Sequence, residues 1–170
     1  MTIESFEESG MTFGPYPENY CCFRIEKSAI YEKLKDGVKI AELLLLRLEK
    51  NAVPAVWVVE AKSSAPQHFD KFVTEIHEKL SNTLTLGVAA CLNRHAAAGA
   101  ELPEMFKTLD LKTADFKLVL VINEHQKAWL PPLQEAMKKA LNATVKTWGM
   151  SPESVAVIND EIARNKGLIS

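Results

Sequence analysis

Glu60 and Lys62 stand two residues apart at the end of the run Val56-Trp57-Val58-Val59-Glu60-Ala61-Lys62, just before Ser63-Ser64. Side chains alternate along a β-strand, so Glu60 and Lys62 point to one face, and Trp57, Val59 and Ala61 to the other. Val56 and Val58 share the face of Glu60 but come earlier. That face therefore turns from apolar to charged at the C-terminal end of the strand, where α/β sheets tend to build sites. A further acid, Glu42, interrupts the apolar run Ile40-Ala41-Glu42-Leu43-Leu44. A buried, unpaired carboxylate is costly and needs a partner. Hairpin pairing would bring Glu42 beside Glu60, and two facing carboxylates repel unless a divalent cation lies between them. Mg2+ takes a small number of carboxylates and completes its shell with waters and phosphate oxygens. Lys62 would then lie near the metal-bound water, placed to orient or deprotonate it, or to stabilise developing phosphate charge.

These residues need elements to hold them. Val38–Leu48 and Ala55–Ala61 read as strands, joined by a hairpin-length link from Glu49 to Pro54. The alternative for Glu42 is a helix, because Ala41 to Arg47 contains good helix formers and would put Glu42 on a solvated face. Phe69 to about Arg94 carries apolar residues at helical spacing. Phe116–Ile122 is apolar enough for a strand buried on both faces, and Val155–Ile158 reads as a last short strand. Gln134–Trp148 is an amphipathic helix with Pro131-Pro132 at or before its first turn, and Asp160–Lys166 closes the chain as a helix. Upstream, Cys21–Ile25 resembles a short strand, Ser28 can cap a short helix holding Ile30, Tyr31 and Leu34, and residues 1–20 read as irregular. The order β, short α, β, β, α, β, α, β implies an α/β fold: a mixed central β-sheet, antiparallel in its first half and crossover-connected in its second, with helices packed on it.

On these residues the chain resembles the PD-(D/E)xK, or restriction-endonuclease-like, nuclease superfamily. Its motif is an acid on one strand followed by an E-x-K triplet on the next. Glu42 stands at the first acid and Glu60-Ala61-Lys62 at the triplet. Glu26, in Arg24-Ile25-Glu26-Lys27-Ser28, is the candidate for the further acid that members carry on the helix before these strands. The resemblance covers roughly Glu26 to Ile122. It implies a restriction-endonuclease-like core within one domain, residues 1–170. It also implies Mg2+ or Mn2+ held by Glu42 and Glu60, with Glu42, Glu60, Lys62 and Glu26 as the catalytic set, and hydrolysis of phosphodiester bonds in DNA. Two departures stand out: Glu replaces Asp at the first acid, and Ala41 replaces the usual Pro. The superfamily includes members without catalysis, so an inactive interaction or nucleic-acid-binding module is the alternative. By analogy with duplex cutting, which needs two sites, a homodimer is expected. Glu75 and Lys79, on the following helix, do not match the family's Gln and Tyr and read as a surface i,i+4 pair.

Composition narrows the alternatives. A chain of 170 residues that is 47% hydrophobic builds one core without staples. Its three cysteines suggest neither a disulfide framework nor metal spacing, which points to a reducing compartment. The acidic start, Met1 to Glu8, does not read as a signal peptide, and the longest apolar block, Leu43–Leu46, cannot span a bilayer. A cytoplasmic protein without membrane contact is the expectation. A formal net charge of −2 argues against coating nucleic acid by bulk charge. The four histidines are scattered, with no zinc spacing, and no nucleophile elbow or P-loop is present. Trp129 and Trp148 flank a helix bearing Lys138, Lys139 and Lys146. A core aromatic beside a solvated lysine face is the commoner meaning of that pattern, and a nucleic-acid surface the rarer one.

Overall fold

The computed structural model describes residues 4–170. Met1 to Ile3, the start of the segment expected to be irregular, lie outside the described residues. The frame is a five-stranded mixed sheet: β3 (Tyr20–Phe23), β4 (Leu43–Arg47), β5 (Ala55–Lys62), β6 (Asp115–Ile122) and β7 (Val155–Asn159), side by side in chain order. β3, β4 and β5 are antiparallel, with Leu43 opposite Val59 and Leu45 opposite Trp57. β6 runs parallel to β5, with Lys62 beside Ile122, and β7 runs parallel to β6. A two-stranded hairpin, β1 (Phe6–Glu8) and β2 (Met11–Phe13), replaces the expected irregular start. Its turn, Ser9-Gly10, has positive φ at both residues (53° and 77°), the backbone that tight hairpins with right-handed twist demand.

The helices follow the apolar spacing. α1 (Ala29–Glu32) is capped by Ser28, whose hydroxyl accepts from the Tyr31 amide at 3.2 Å. α2 (Asp70–Cys91) buries Val73, Ile76, Leu80 and Leu84 along one stripe. The small residues Ala96 to Ala100 lead into the one-turn helices α3 (Ala98–Glu101) and α4 (Glu104–Lys107), which flank Pro103. The expected helix Gln134–Trp148 is two helices, α5 (Leu130–Ala140) and α6 (Asn142–Thr147). Leu141, fully buried with φ −90° and ψ 1°, breaks the run between them. α7 (Asp160–Asn165) begins at Asn159, whose side chain accepts from the Ile162 amide.

The sheet therefore has two buried faces. α2, α5 and α6 cover one, against Leu44, Val58, Leu118 and Leu120. The hairpin, α7 and the C-terminal residues Leu168 and Ile169 cover the other, against Leu45, Trp57, Val59 and Val121. Phe13 bridges to Ile169, and the Tyr16 hydroxyl donates to the Leu168 carbonyl at 2.8 Å, tying the two ends of the chain over that face. Among the described residues no helix is long and apolar enough to cross a membrane, and the three cysteines are unpaired.

Candidate metal and phosphate site

β5 carries Glu60 and Lys62 to the end of the sheet, as alternation requires. Glu60 has no exposed surface and is walled in by the apolar residues of its own strand and of β6. Its Oε1 receives two ammonium groups: Lys79 Nζ at 2.8 Å and Lys62 Nζ at 3.2 Å. Its Oε2 is buried without a hydrogen-bond partner. Burial raises the Glu60 carboxyl above its ordinary range, and Lys79 and then Lys62 pull it back. Lys62 also reaches Glu75 at 3.3 Å, so it bridges a buried and a partly exposed carboxylate. Burial alone would lower Lys79, but Glu60, Glu42 and Glu75 carry it above its ordinary value. The Glu75–Lys79 pair, expected as a surface bridge, is 4.0 Å apart and turned inward onto Glu60 and Lys62.

Glu42 is not in a helix, and it is not within a regular strand either. The expected strand Val38–Leu48 is regular only over Leu43–Arg47. The reason lies in where the backbone of the preceding residues bonds. The Ala41 amide is taken by the Thr83 hydroxyl of α2 at 2.6 Å, while the Glu42 amide still donates to the Val59 carbonyl at 3.1 Å. This anchoring holds Glu42 half-buried at the entrance to β4, next to the strand that carries Glu60. Glu26 lies on a short 3-10 turn, Ile25–Lys27, between β3 and α1, and its amide approaches the Glu42 carbonyl at 3.5 Å. Glu8 arrives from β1, because the hairpin turn is docked on the ends of β5 and β6. Ser9 Oγ donates to the Ala61 carbonyl at 3.1 Å and Asn123 Nδ2 to the Gly10 carbonyl at 3.4 Å. Gly10 has φ 77°, and a Cβ there would lie 2.8 Å from Asn123 Nδ2 and push that side-chain amide aside.

Glu8, Glu26 and Glu42 each offer a carboxylate oxygen, all within 4.8 Å of one another and each half-buried. Like charges this close repel one another, a repulsion that a cation between them would relieve. Burial, hydrogen bonding to Glu26 and the charges of Glu60, Glu26 and Glu8 together push the Glu42 carboxyl up to about 9.

The structure thus brings all four sequence-derived residues, Glu26, Glu42, Glu60 and Lys62, to one end of the sheet. The grouping is wider than the expected pair. Glu42 feels the charge of Glu60 and also meets Glu26 and Glu8, while Glu60 is engaged by Lys62 and Lys79. Sequence reading missed Glu8, because its strand has only three residues, and Lys79, because a one-helix view of Glu75–Lys79 carries no sign that its face meets β5. The Ser9-Gly10 turn between Phe6 and Phe13 was the available signal for the hairpin.

Glu8, Glu26 and Glu42 offer carboxylate oxygens alone, the donor type that a hard divalent cation takes, and on the neighbouring strand Glu60 Oε2 is buried without a partner. No family model, curated protein or solved structure matches the chain.

Proposed function

We propose that the chain is a metal-dependent nuclease of the PD-(D/E)xK type, with a restriction-endonuclease-like core, that hydrolyses phosphodiester bonds in DNA. The supporting observation is the gathering of Glu8, Glu26 and Glu42 at the strand end that also carries Glu60 and Lys62. Glu42 and Glu60 hold Mg2+ or Mn2+ in this reading, with Glu26 and Glu8 beside them. When bound, such an ion polarises a phosphoryl oxygen and acidifies a water.

The chain's own residues do the rest. Lys62, a quarter exposed and at the open end of β5, is the cation that can reach a substrate phosphate without leaving its strand. As an ammonium it steadies charge on the non-bridging oxygens; as an amine it accepts a proton from the attacking water. Lys79 is a positioning residue. It holds Glu60 Oε1 at 2.8 Å and leaves Oε2 as the free ligand atom. Glu75 competes with phosphate for Lys62 from the solvent side, at 3.3 Å.

One observation favours a second reading, an inactive interaction or nucleic-acid-binding module of the same fold. Both ammonium groups converge on one fully buried Glu60 oxygen, an arrangement that satisfies much of its charge without any metal. Cleavage of supercoiled plasmid and single-stranded oligonucleotides in Mg2+ or Mn2+, against EDTA, separates the two. The nuclease reading requires cutting that disappears with chelation. Absence of cutting across metals and substrates selects the module.

A further inference from the structure

The loops that leave β5 and β6 at the paired residues Lys62 and Ile122 spread apart, tied at their base by the Asn123 amide donating to the Lys62 carbonyl at 2.9 Å. Between them and the start of α5 opens a pocket of about 370 Å³. Its walls include the flat rings of Trp129 and His125 from the β6–α5 connection and of Phe69 from the β5–α2 connection, with the pyrrolidines of Pro66 and Pro132 beside them. Gln67 supplies a side-chain amide among them.

Three features mark the pocket as a place for a ligand. Trp129 keeps 54% of its surface exposed, against the expectation that it belongs to the core. Its ring is fixed nonetheless by an edge contact with His125, 5.4 Å between centroids and 69° between planes. The His125 Nε2 is buried with no hydrogen-bond partner, an unmade bond in a residue of the pocket wall. The volume lies near the lower end of the ~300–1,000 Å³ typical of small-molecule sites, room for one ring system and not for a folded segment.

From these residues we infer that the pocket takes one unstacked nucleobase of a single strand whose phosphate lies at Lys62. The inference rests on the nuclease reading and extends it to the form of the substrate. A base offers a flat π-face to Trp129 and Phe69, and donor and acceptor atoms on its edge to Gln67, which an aliphatic ligand does not. The pocket opens only a few residues beyond Lys62 on the same strand exit, so base and phosphate belong to one continuous chain. Selectivity for an unpaired base follows, because a base inside a duplex cannot enter a ring-walled slot without leaving its stack.

The test is an anisotropy titration with a fluorescein-labelled short oligothymidylate in Ca2+, with strand length checked afterwards. Trp129→Ala weakens binding by about ten- to a hundredfold, the range expected for losing one base–aromatic stack. Trp129→Phe, which keeps a flat ring, retains most of the affinity. An abasic nucleotide walked along the strand finds one position that weakens binding to the wild type by a similar factor and leaves binding to Trp129→Ala unchanged. The abasic walk on the unaltered protein stands as a test even if a variant folds poorly. Uniform binding along the walk, or equal affinity for wild type and Trp129→Ala, overturns the pocket assignment and leaves the nuclease reading in place. Failure of the wild type to bind or cut any nucleic acid overturns both.

Discussion

Glu60 has two ammonium groups on one oxygen and nothing on the other, and the chemistry of the site turns on what that second oxygen meets. If a divalent cation completes it, Mg2+ or Mn2+ raises the melting temperature, because the ion binds the folded carboxylates and not the unfolded chain. Glu60→Gln then loses this shift. The same substitution lowers stability in the absence of metal by about 1–3 kcal/mol, less than the ~3–5 kcal/mol of a fully buried pair, because Lys62 and Lys79 keep exposed surface. A wild-type melting curve that does not respond over a wide range of metal concentration speaks against a preformed site. Glu42 adds a pH dependence. It is faced by Glu8 from β1, Glu26 from the 3-10 turn, Glu60 from β5 and Lys79 from α2, and its carboxyl sits near 9 instead of the unfolded value of 4.5. The folded state thus holds a proton that the unfolded state releases. Stability from this group is complete below pH 4.5 and is lost as pH rises toward about 9. Metal-free melting curves of Glu42→Gln should lie flatter across that window than those of the wild type. An identical slope in both would place the proton elsewhere.

At the scale of elements, the decisive tie is between α2 and the entrance to β4. Thr83 is fully buried; its hydroxyl accepts from the Ala41 amide at 2.6 Å and donates to the Lys79 carbonyl at 2.7 Å. Thr83→Val keeps the shape and removes both bonds, leaving a buried amide without a partner. The expected cost is about 1–3 kcal/mol, read as a lower melting temperature. A weaker metal-induced shift should accompany it, because Ala41 precedes Glu42. Stability loss with an unchanged metal response would show that this tie supports the fold and not the site. Much of this scale was legible in the sequence. Val56 to Ala61 alternates and is β-branched, the Glu49–Pro54 link fits a hairpin, and the stripe of α2 repeats at helical spacing. What stayed hidden depends on contacts between distant segments. The early end of the regular β4 ladder comes from a threonine forty-odd residues later. The inward turn of Lys79 comes from the packing of α2 on β5, and the split between α5 and α6 falls at Leu141, an ordinary helix former. The face-pairing of Glu60 and Lys62 was legible because it needs only the period of a strand; the company kept by Glu42 was not, because Glu8 and Glu26 come from other elements.

For the molecule as a whole, the net charge of −2 leaves binding of a polyanion to local groups and bound cations. The end of the sheet holding Lys62, the acidic cluster and the ring-walled pocket is where those local groups collect. The central claim is that this end cuts phosphodiester bonds, and Lys62 tests it most directly, since it is placed for chemistry and is not itself a metal ligand. With Lys62→Ala, Lys79 still holds Glu60 at 2.8 Å, so the melting temperature should change little. Cleavage of supercoiled plasmid and single-stranded oligonucleotides in Mg2+ or Mn2+ should fall by about two to three orders of magnitude, the scale of losing one acid–base or electrostatic group. Equal cleavage by the wild type and by Lys62→Ala, at matched stability, would contradict the account.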